Sequence, residues 1–406
     1  MTEIIVLGAG MVGVSTALAL QAHGHQVTLV DRRRPGEETS YGNAGMIQAE
    51  AAEPYALPLD IPTLFQIATG RTNDVAWSLR GARYWVGPAL RYAYHSLPWN
   101  YRDKTVGPWS TMIASATTDH AALIEAAGAQ DLVSQQGFRK AYRTPRVFSA
   151  AVASAEQFQN RYGIASTIMD NAELRRAEPG LQRDMAGAVH WTTAWACTDP
   201  GGLVKRYASL FERKGGRFVI GDAMSLLRVD KGWRVDTSEG PCAAESVVIC
   251  LGPWSPALTA RFGHKVPMVY KRGYHRHFAA NNGPTIPLMD VETGTFLSPM
   301  RQGLRVLTGA ELNALDADPT LRQMDRSTIA ANELFTLGKP IEEHPWMGTR
   351  PCLPQMLPLT GCSDLHQGLW FNFGHGHQGF TLGPTSGRLL AEMMAGRSSG
   401  GPSAGN

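Results

Sequence analysis

The first 31 residues contain the pattern that most restricts how this chain can fold. A short apolar strand, IIVL, leads into the turn GAGMVG at 8–13, an Ala/Leu-rich helix and a second apolar strand that ends on Asp31. In this βαβ order Gly8 allows a tight turn, Gly10 lets backbone approach a pyrophosphate, and Gly13 lets the helix pack on the strand. Asp31 follows the third glycine by 18 residues, where it can accept hydrogen bonds from ribose hydroxyls. The pattern therefore predicts a dinucleotide-binding unit, with the pyrophosphate at the positive end of the helix dipole.

Size, charge and cysteine usage exclude several classes of protein. The chain has 406 residues, 43% of them hydrophobic, so it can bury a full core in one large or two domains. Its formal charge is only +3 and no run of like charge exceeds residues 32–34, which argues against a nucleic acid partner. The five cysteines include no C-x-x-C pair and fit a reducing compartment. The start MTEIIVLG has no basic leader and no apolar run is long enough to span a bilayer, so we expect a cytoplasmic protein.

Strands and helices alternate along the chain, which predicts an α/β fold. Residues 51–130 carry helical patches and are expected to decorate the nucleotide-binding sheet from outside. A helix at 203–216 precedes alternating strands, of which a buried one ends at Gly252. The β-rich segment 266–309 predicts an antiparallel sheet of a second domain. The C-terminal segment repeats the strand, glycine-rich loop and helix of the opening motif, and the final residues 398–406 predict disorder.

The loop after Asp31, RRRPGEETSYGNAGMI at 32–47, supplies glycines and hydrogen-bonding side chains and so predicts a binding loop. Its arginines could hold a 2′-phosphate, but Asp31 would repel that phosphate. A nucleotide with a free ribose, NAD or FAD, is therefore favoured. The C-terminal loop 374–379 offers backbone N–H groups at a helix start, which suit the electron-rich N1–C2=O edge of a reduced flavin.

Six segments, taken together and in order, resemble the D-amino acid dehydrogenases of the flavin-dependent D-amino acid oxidase superfamily. They are LGAGMVGVSTAL, EETSYGNAGMI, VVICLGPWS, KRGYH, GTRP and GHGHQGFTLGPTSGRLLA. The resemblance covers essentially the whole chain. It departs at 350–361, where relatives usually read R-P-x-x-P-D-G-x-P-x-I-G. Here Gln355 and Met356 replace the Asp-Gly turn, which would alter the local loop shape and the choice of substrate.

The resemblance implies FAD as cofactor and an α/β fold: a Rossmann-like FAD-binding domain plus a substrate-binding domain whose mixed or antiparallel β-sheet, with a helical insertion, covers the flavin. The FAD-binding domain would be discontinuous (1–50, 198–265 and 340–406), and 51–197 and 266–339 would form the substrate-binding domain. The residues expected to contact FAD are Gly8, Gly10, Met11, Val12, Gly13, Asp31, Arg32, Thr39, Ser40, Asn43, Ala44, Gly45, Met46, Gly252, Trp254, Gly374, His375, Gly376, His377, Gln378, Gly379, Phe380 and Thr381.

An amino acid substrate needs its carboxylate clamped and its Cα–H aimed at flavin N5. Arginine suits the carboxylate because its planar fork donates two hydrogen bonds. By the resemblance, Arg350 is the first candidate for this clamp and Tyr274 the second. Arg272 and Arg305 are reserves.

Other side chains have alternative interpretations. His375 and His377 are expected to shape the flavin pocket by packing or hydrogen bonding, or to accept a proton from the substrate ammonium. A metal site at this H-x-H pair is not predicted, because no Cys or carboxylate lies at a zinc-like spacing. Cys352 could tether the flavin covalently, but a small buried core residue is favoured. The aromatic and arginine-rich stretch 77–101 is typical of a membrane- or quinone-facing surface or of helices packed on their own domain, and the second is favoured.

Together these features predict an FAD-dependent dehydrogenase of D-amino acids, with D-proline or hydroxy-D-proline as a subclass. A hydride would pass from Cα to flavin N5 and the electrons then to a quinone or a carrier protein. One alternative is a glycine or sarcosine type of amine oxidase that uses oxygen. Another is a non-catalytic FAD-bearing subunit of a hetero-oligomer. The sequence is compatible with a homo- or hetero-oligomer and with peripheral contact at the inner face of a membrane.

Overall fold

The computed structural model of the chain describes residues 2–58, 60–70 and 73–398, so the predicted disordered tail lies outside the described residues beyond its first residue. The helices are α1 (Met11–Ala22), α2 (Ile61–Ala68), α3 (Ala82–His95), α4 (Pro98–Asn100), α5 (Gly107–Ala127), α6 (Pro145–Tyr162), α7 (Asn171–Ala177), α8 (Pro200–Arg213), α9 (Ser255–Ala260), α10 (Arg322–Leu334) and α11 (Gly379–Ser398).

The strands in chain order are β1 (Glu3–Leu7), β2 (Gln26–Asp31), β3 (Met46–Ile47), β4 (Val75–Trp77), β5 (Val133–Ser134), β6 (Phe138–Tyr142), β7 (Ser166–Met169), β8 (Gly187–Trp191), β9 (Trp195–Cys197), β10 (Arg217–Val229), β11 (Gly232–Thr237), β12 (Gly240–Ala244), β13 (Ser246–Ile249), β14 (Val269–Phe278), β15 (Leu288–Asp290), β16 (Thr295–Met300), β17 (Gly303–Leu307), β18 (Ala310–Leu312), β19 (Trp346–Cys352), β20 (Leu359–Cys362) and β21 (Leu369–Phe373). The predicted α/β architecture is confirmed.

The first sheet is built around the opening motif. Its eight strands follow the order β12-β11-β10-β2-β1-β13-β21-β20, and the pairings of β1 with β2 and β13 are parallel. Along β1, Ile4 and Val6 enter the core that contains α1 and α8, whereas Ile5 and Leu7 enter a core on the opposite face. Because both faces of a parallel sheet are covered, the strand is apolar at successive positions.

Helices α1 and α11 lie against each other and bring the two ends of the chain together. A Cβ on Gly383 would lie 2.7 Å from Cγ of Met11, and one on Gly387 would lie 2.9 Å from the backbone of Ser15. Larger residues at these two positions would push the helices apart. The close approach places the glycine-rich loops before both helices on the same cavity.

The second sheet contains β4, β18, β14, β17, β16, β15, β6, β8 and β7 in that order, with β19 paired to β14. Most pairings are antiparallel, but β15 runs parallel to β6 and β18 parallel to β4, so the sheet is mixed. Strand β19 lies in this sheet although its residues fall in the range 340–406 that we assigned to the FAD-binding domain. Its seven-residue pairing with β14 decides this placement.

Helices α2 to α5 occupy most of the segment 51–130, as its helical patches predict. The last of them, α5, is held to helices α8 and α11 by His120, which is fully buried. Its Nδ1 lies 3.0 Å from the Tyr207 hydroxyl on α8, and its Nε2 lies 2.9 Å from the carbonyl oxygen of Phe380 on α11. Burial lowers the pKa of His120 to about 4, so the ring is neutral at pH 7.

We expect this histidine to make stability depend on pH. In the unfolded chain it takes up a proton below its ordinary pKa of about 6.5, whereas the folded protein resists protonation down to about pH 4. The free energy of unfolding should therefore fall as pH drops from 6.5 to 4, by about 1.4 kcal/mol per pH unit for this group. Denaturant titrations at several pH values should give a shallower dependence for His120→Asn, and an identical slope would contradict the assignment.

Candidate functional site

One large cavity of about 1460 Å³ lies between the two sheets. At one end it is bordered by Asp31 and the N-terminal glycine-rich turn, and at the other by Arg350 and His377. The glycine-rich loop before α11 forms part of its wall, and strands β14 and β19 of the second sheet contribute residues to the opposite wall. The second sheet therefore covers this cavity, and we call this sheet the roof.

The N-terminal turn forms a cradle for an anion. Helix α1 begins after Gly10 and has no side-chain cap, so backbone N–H groups of its first turn are available at the cavity wall. The N–H of Met11 donates to Oγ of Ser40 at 3.0 Å, and a Cβ on Gly10 would lie 3.2 Å from the same oxygen. A Cβ on Gly13 would lie 1.7 Å from the carbonyl oxygen of Gly8. Gly13 thus allows the helix to pack on the strand while Gly10 keeps the cradle open.

Asp31, the last residue of β2, and Arg32 lie at the end of the cavity that suits a ribose, which we call the ribose end. The N–H of Ala9 donates to Oδ2 of Asp31 at 2.6 Å; burial raises the pKa of Asp31, and this hydrogen bond opposes the rise. The guanidinium of Arg32 pairs with Glu38 at 2.8 Å and lies 4.3 Å from the ring centroid of Trp254. Because Glu38 already neutralises Arg32, this end is poorly suited to a 2′-phosphate. A free ribose fits, as the sequence predicts.

The loop at 39–46 is held against the roof by Arg305. Its Nη1 donates to the carbonyl oxygens of Tyr41 at 2.9 Å and Asn43 at 2.5 Å, and its Nε donates to Nε2 of His277 at 2.9 Å. Burial lowers the pKa of Arg305 to about 10. Its Nη1 and Nε are engaged with the loop and with His277, and Arg305 does not border the cavity. Both observations argue against the reserve role of Arg305 as a carboxylate clamp.

The C-terminal loop is fixed by hydrogen bonds of its own side chains. Nε2 of His375 lies 2.8 Å from the Ser386 hydroxyl, and burial lowers the pKa of His375 to about 3. The amide of Gln378 donates to Oε1 of Gln48 at 2.8 Å, and the Thr381 hydroxyl donates to Gln378 at 2.8 Å. His375 is therefore a neutral hydrogen-bonding residue, and the other two tie the loop to the segment after the first binding loop.

Most of the residues predicted to contact FAD border the cavity. They are Gly8, Gly10, Met11, Val12, Asp31, Arg32, Thr39, Ser40, Asn43, Ala44, Met46, Gly252, Trp254, Gly374, His375, Gly376, His377, Gly379 and Phe380. Four predicted residues do not border it: Gly13, Gly45, Gln378 and Thr381. These four act one layer further out, through packing or hydrogen bonds to the residues that do.

Arg350 lies where a substrate carboxylate could reach it. Its guanidinium extends over Gly273, where an added Cβ would lie 2.6 Å from Nη1. Nη1 donates to the carbonyl oxygen of Gly309 at 3.3 Å, and no carboxylate within the described ranges forms an ion pair with it. Burial lowers the pKa of Arg350, and the nearby Cys352 and Tyr55 oppose that shift. A buried guanidinium with open donors is a suitable site for an anion.

His377 lies beside Arg350 at the same end of the cavity. Its ring is 5.4 Å from that of Tyr55 in an edge-on arrangement. Burial, followed by the charges of Arg350 and Lys271, holds the pKa of His377 well below its ordinary value. The histidine is neutral at pH 7, which favours packing or hydrogen bonding over proton uptake from the substrate.

The structure argues against Tyr274 as a second clamp. Side chains alternate between the two faces of a strand. On β14, Lys271 and Gly273 lie on the face that borders the cavity. Tyr274 also borders the cavity, but its hydroxyl accepts a hydrogen bond from Nη2 of Arg272 at 2.7 Å and donates one to Glu311. Arg272 is fully buried and also bonds backbone carbonyls at 2.6 and 2.7 Å. The hydrogen bonds of Arg272 and Tyr274 therefore stabilise the second sheet and leave the Tyr274 hydroxyl engaged within the protein.

Sequence reasoning missed three residues of this end: Lys271, Tyr55 and Tyr92. Lys271 pairs directly with Arg350 across β14 and β19, and both residues border the cavity. Alternation along KRGYH places Lys271 and Gly273 on one face, but only the packed sheet tells which face meets the cavity. Tyr55 and Tyr92 come from the helical insertion, where no motif marks them.

At Gln355 and Met356, where the sequence departs from the family pattern, the backbone still adopts a conformation that glycine favours. Met356 adopts a φ of 62°, in the left-handed region where the family usually has glycine. Its side chain is buried in a cluster with Tyr92, Val269 and Cys352, so packing offsets the backbone strain. Cys352 is itself 4% exposed and does not border the cavity. That environment fits the core role favoured from the sequence.

Within residues 2–58, 60–70 and 73–398, no three His, Cys, Asp or Glu side chains group in a way that could hold a metal ion. Over the same ranges, no helix combines the length and the apolar character needed to cross a membrane.

Comparison with known proteins defines the class of protein. A family model described as DAO, FAD dependent oxidoreductase, matches residues 3–393. The chain belongs to this family of FAD-dependent oxidoreductases. It is 31% identical to a D-amino acid dehydrogenase of Paramagnetospirillum magneticum over 98% of this chain and 96% of that relative. It is 28% identical to a D-amino-acid oxidase of Bradyrhizobium diazoefficiens, over 97% and 95% of the two chains.

The fold is also found among solved structures. Glycine oxidase from Geobacillus kaustophilus superposes with a TM-score of 0.75 at 18% identity, covering 100% of this chain and 97% of that one. L-proline dehydrogenase from P. horikoshii gives a TM-score of 0.72 at 16% identity, with coverages of 98% and 94%. These likenesses concern the fold.

The residues around the cavity fit the FAD that this family uses. The uncapped start of α1 suits a pyrophosphate, the Asp31 carboxylate suits ribose hydroxyls, and the loop before α11 suits the flavin end. Arg32, Asn43 and Trp254 border the intervening wall. FAD is therefore the cofactor of this enzyme, as predicted.

Replacing Gly10 by valine should yield colourless protein, because the branched side chain would fill the anion cradle beside Ser40. The readout is the visible flavin absorbance of purified protein before and after addition of FAD. Gly107→Val is a control, because nothing lies within 4 Å of the Cβ position there. Full flavin content in the Gly10 variant would remove the pyrophosphate from this turn.

Proposed function

We propose that this protein oxidises D-amino acids at the Arg350 end of the cavity. The observation that carries the proposal is the guanidinium of Arg350, which faces the cavity with no ion-pair partner in the described part of the chain. It lies beside His377 of the loop that approaches the flavin. The relatives named D-amino acid dehydrogenase and D-amino-acid oxidase support the same substrate class.

In this reaction the protein acts mainly by positioning. Arg350 holds the substrate carboxylate through two hydrogen bonds, which orients the Cα–H toward the cofactor. FAD, when bound, supplies the two-electron acceptor for the hydride from Cα. Its lowered pKa makes His377 a poor acceptor for the ammonium proton. That proton therefore passes to solvent, and the substrate then reacts with its amine uncharged. The imino product then hydrolyses to the 2-oxo acid, or stays as a cyclic imine when the substrate is D-proline.

Anaerobic mixing of the holoenzyme with D- and L-amino acids tests this proposal. D-enantiomers, D-proline included, should bleach the visible flavin band, and L-enantiomers should not. Hydrogen peroxide formed in step with substrate in air would favour an oxidase. Failure of any amine to bleach the flavin, together with tight co-purification of another chain, would favour a non-catalytic subunit.

Replacing Arg350 by methionine should weaken substrate capture by about 2 to 5 kcal/mol, because the carboxylate would lose a buried charged partner. Gly273→Ala should act in the same direction with less effect, because the new methyl group would displace the guanidinium that lies 2.6 Å from the Cβ position. Steady-state KM and kcat with a D-amino acid, under a fixed electron acceptor, measure both changes.

Gly107→Ala serves as the matched control for the glycine substitution, since its Cβ position is open. A KM unchanged by both Arg350→Met and Gly273→Ala would remove Arg350 from the substrate site.

We further propose that the helical insertion contacts an anionic membrane surface, from which a quinone can take the electrons. The aromatic-basic patch comprises the exposed side chains Ile61, Phe65, Trp77, Leu79, Arg80, Arg83, Tyr84, Leu90, Arg91, Tyr94, Trp99 and Arg102. Among the seven Trp and Tyr residues of 77–101, Trp77, Tyr84, Tyr94 and Trp99 are exposed and only Tyr92 is buried. This exposure supports a surface role over the packing on its own domain that we favoured from the sequence.

The composition of the aromatic-basic patch supports a lipid surface. Apolar side chains interleaved with arginines are typical of helices that lie in a membrane interface. Leu90 is 67% exposed and Trp99 is 61% exposed. Helices α2 and α3 also border the cavity through Ile67 and Tyr92, so the patch adjoins the enzyme's own site.

Sedimentation of the holoenzyme with vesicles should therefore depend on lipid charge. Vesicles that contain anionic lipid should bind the protein, and neutral vesicles should bind it less, because the arginines contribute about 1 kcal/mol each near an anionic surface. Leu90→Glu combined with Trp99→Glu should weaken the binding. Leu365→Glu, which alters an exposed leucine in the first domain, is the control. Equal sedimentation of the double variant and wild type would contradict the proposal.

A further inference from the structure

The carboxylate-binding end of the cavity holds two positive charges where one would suffice. Lys271 and Arg350 occupy directly opposed positions of the antiparallel strands β14 and β19. Residues in such a pair project from the same face of the sheet, with Cβ atoms about 5 Å apart. Both residues border the cavity, so a ligand bound to one lies within reach of the other.

The two charged groups point to different parts of this end. The guanidinium of Arg350 extends along the sheet over Gly273 and donates to the carbonyl oxygen of Gly309. The ammonium of Lys271 lies over the ring of Tyr92 on α3, 4.1 Å from the ring centroid. A ligand between them would meet one cation beside the roof and the other beside the helical insertion.

No acidic side chain in the described ranges forms an ion pair with either charge. The groups that act on the Lys271 charge are Tyr92, Cys352 and Arg350. Burial raises the pKa values of both Tyr92 and Cys352, so the phenol and the thiol are neutral at pH 7. The Tyr92 hydroxyl is itself engaged with the carbonyl oxygen of Tyr55. The protein therefore leaves two neighbouring cations to be neutralised by whatever binds.

A partly buried cation without a partner is unfavourable, whereas pairing it with an anion and hydrogen bonds offsets the lost hydration. The carboxylate of a neutral amino acid compensates one of the two charges. A second carboxylate on the same substrate would compensate the other. Leu312, which pairs with Lys271 across β14 and β18, and Val269, two residues before Lys271 on the same face of β14, have no polar side chain that could replace it.

We propose that Lys271 determines substrate class: the site takes D-amino acids whose side chain ends in a carboxylate, with the α-carboxylate on Arg350 and the side-chain carboxylate on Lys271. This inference rests on the proposed function, because it assigns the substrate class of the same site. It goes beyond the reaction type, since the Arg350 clamp alone would serve any D-amino acid.

The test compares acids with their neutral amides of nearly equal shape. With the holoenzyme and an artificial electron acceptor under anaerobic conditions, kcat/KM for D-aspartate and D-glutamate should exceed that for D-asparagine and D-glutamine by about 10- to 100-fold, the ratio expected for one charge-assisted hydrogen bond. Lys271→Met should bring this acid-to-amide ratio close to one. Lys271→Arg keeps the charge and should retain a preference for the acids.

Arg326→Met is the matched control. Arg326 also borders the cavity, where its Nη1 donates to the carbonyl oxygen of Gly70 at 3.1 Å. This variant removes one positive charge from the same cavity, so it should preserve the acid-to-amide ratio if the preference is specific to Lys271. A ratio that falls equally in both variants would mean that the general positive field, and no Lys271 contact, is responsible.

A binding measurement separates this inference from the oxidation reaction. Succinate, which cannot be oxidised at an amine, should perturb the bound flavin spectrum with a Kd about tenfold or more below that of its monoamide, and Lys271→Met should remove the difference. Neutral D-amino acids that are oxidised as well as their acidic counterparts by wild-type enzyme would overturn the inference while leaving the proposed function intact. Bleaching by no D-amino acid, with selective succinate binding retained, would overturn the function alone.

Discussion

The close packing of α1 against α11 is the constraint on which the rest of the structure depends. Gly383 and Gly387 let the two helices approach until an added Cβ would overlap the partner helix. That contact joins the first and last βα units of the chain in one sheet and aims both glycine-rich loops at one cavity. A dinucleotide as large as FAD needs donors at both ends, and no single βαβ unit provides them. The cofactor site therefore forms only when the two ends of the chain pack together.

The roof over this site follows from strand geometry. Strand β14 pairs with β17, β18 and β19, so each of its residues is committed to one face of the sheet. One face carries Lys271 and the bare backbone of Gly273, which leaves room for the guanidinium of Arg350. The opposite face buries Arg272 and Tyr274 in a hydrogen-bonded network with Glu311. The segment KRGYH at 271–275 thus supplies both residues that border the cavity near Arg350 and residues of the hydrogen-bonded network with Glu311.

The two ends of the cavity differ in how their positive charges are paired. At the ribose end, Glu38 neutralises Arg32, and the adjacent backbone N–H groups at the start of α1 suit an anion. At the other end, the neutral side chains of His377, Tyr55 and Tyr92 lie near Arg350 and Lys271. The charges of Arg350 and Lys271 have no acidic partner in the described ranges. Burial keeps His377 neutral, so Arg350 and Lys271 carry the charge at this end, where we propose that substrate carboxylates bind. The arrangement favours positioning over proton transfer by side chains.

The sequence by itself determined the nucleotide-binding unit and the α/β class, because glycine spacing and apolar runs are local features that the printed chain displays. It named Arg350 only through the family resemblance, and the role of Arg350 as a clamp stays a proposal. It did not determine which face of KRGYH meets the cavity, nor that Tyr55 and Tyr92 reach it from the helical insertion. The two faces of a strand are equivalent until another layer packs on one of them. Tertiary structure therefore decided that Lys271 joins Arg350 at one end of the cavity, while the Tyr274 hydroxyl is engaged with Arg272 and Glu311.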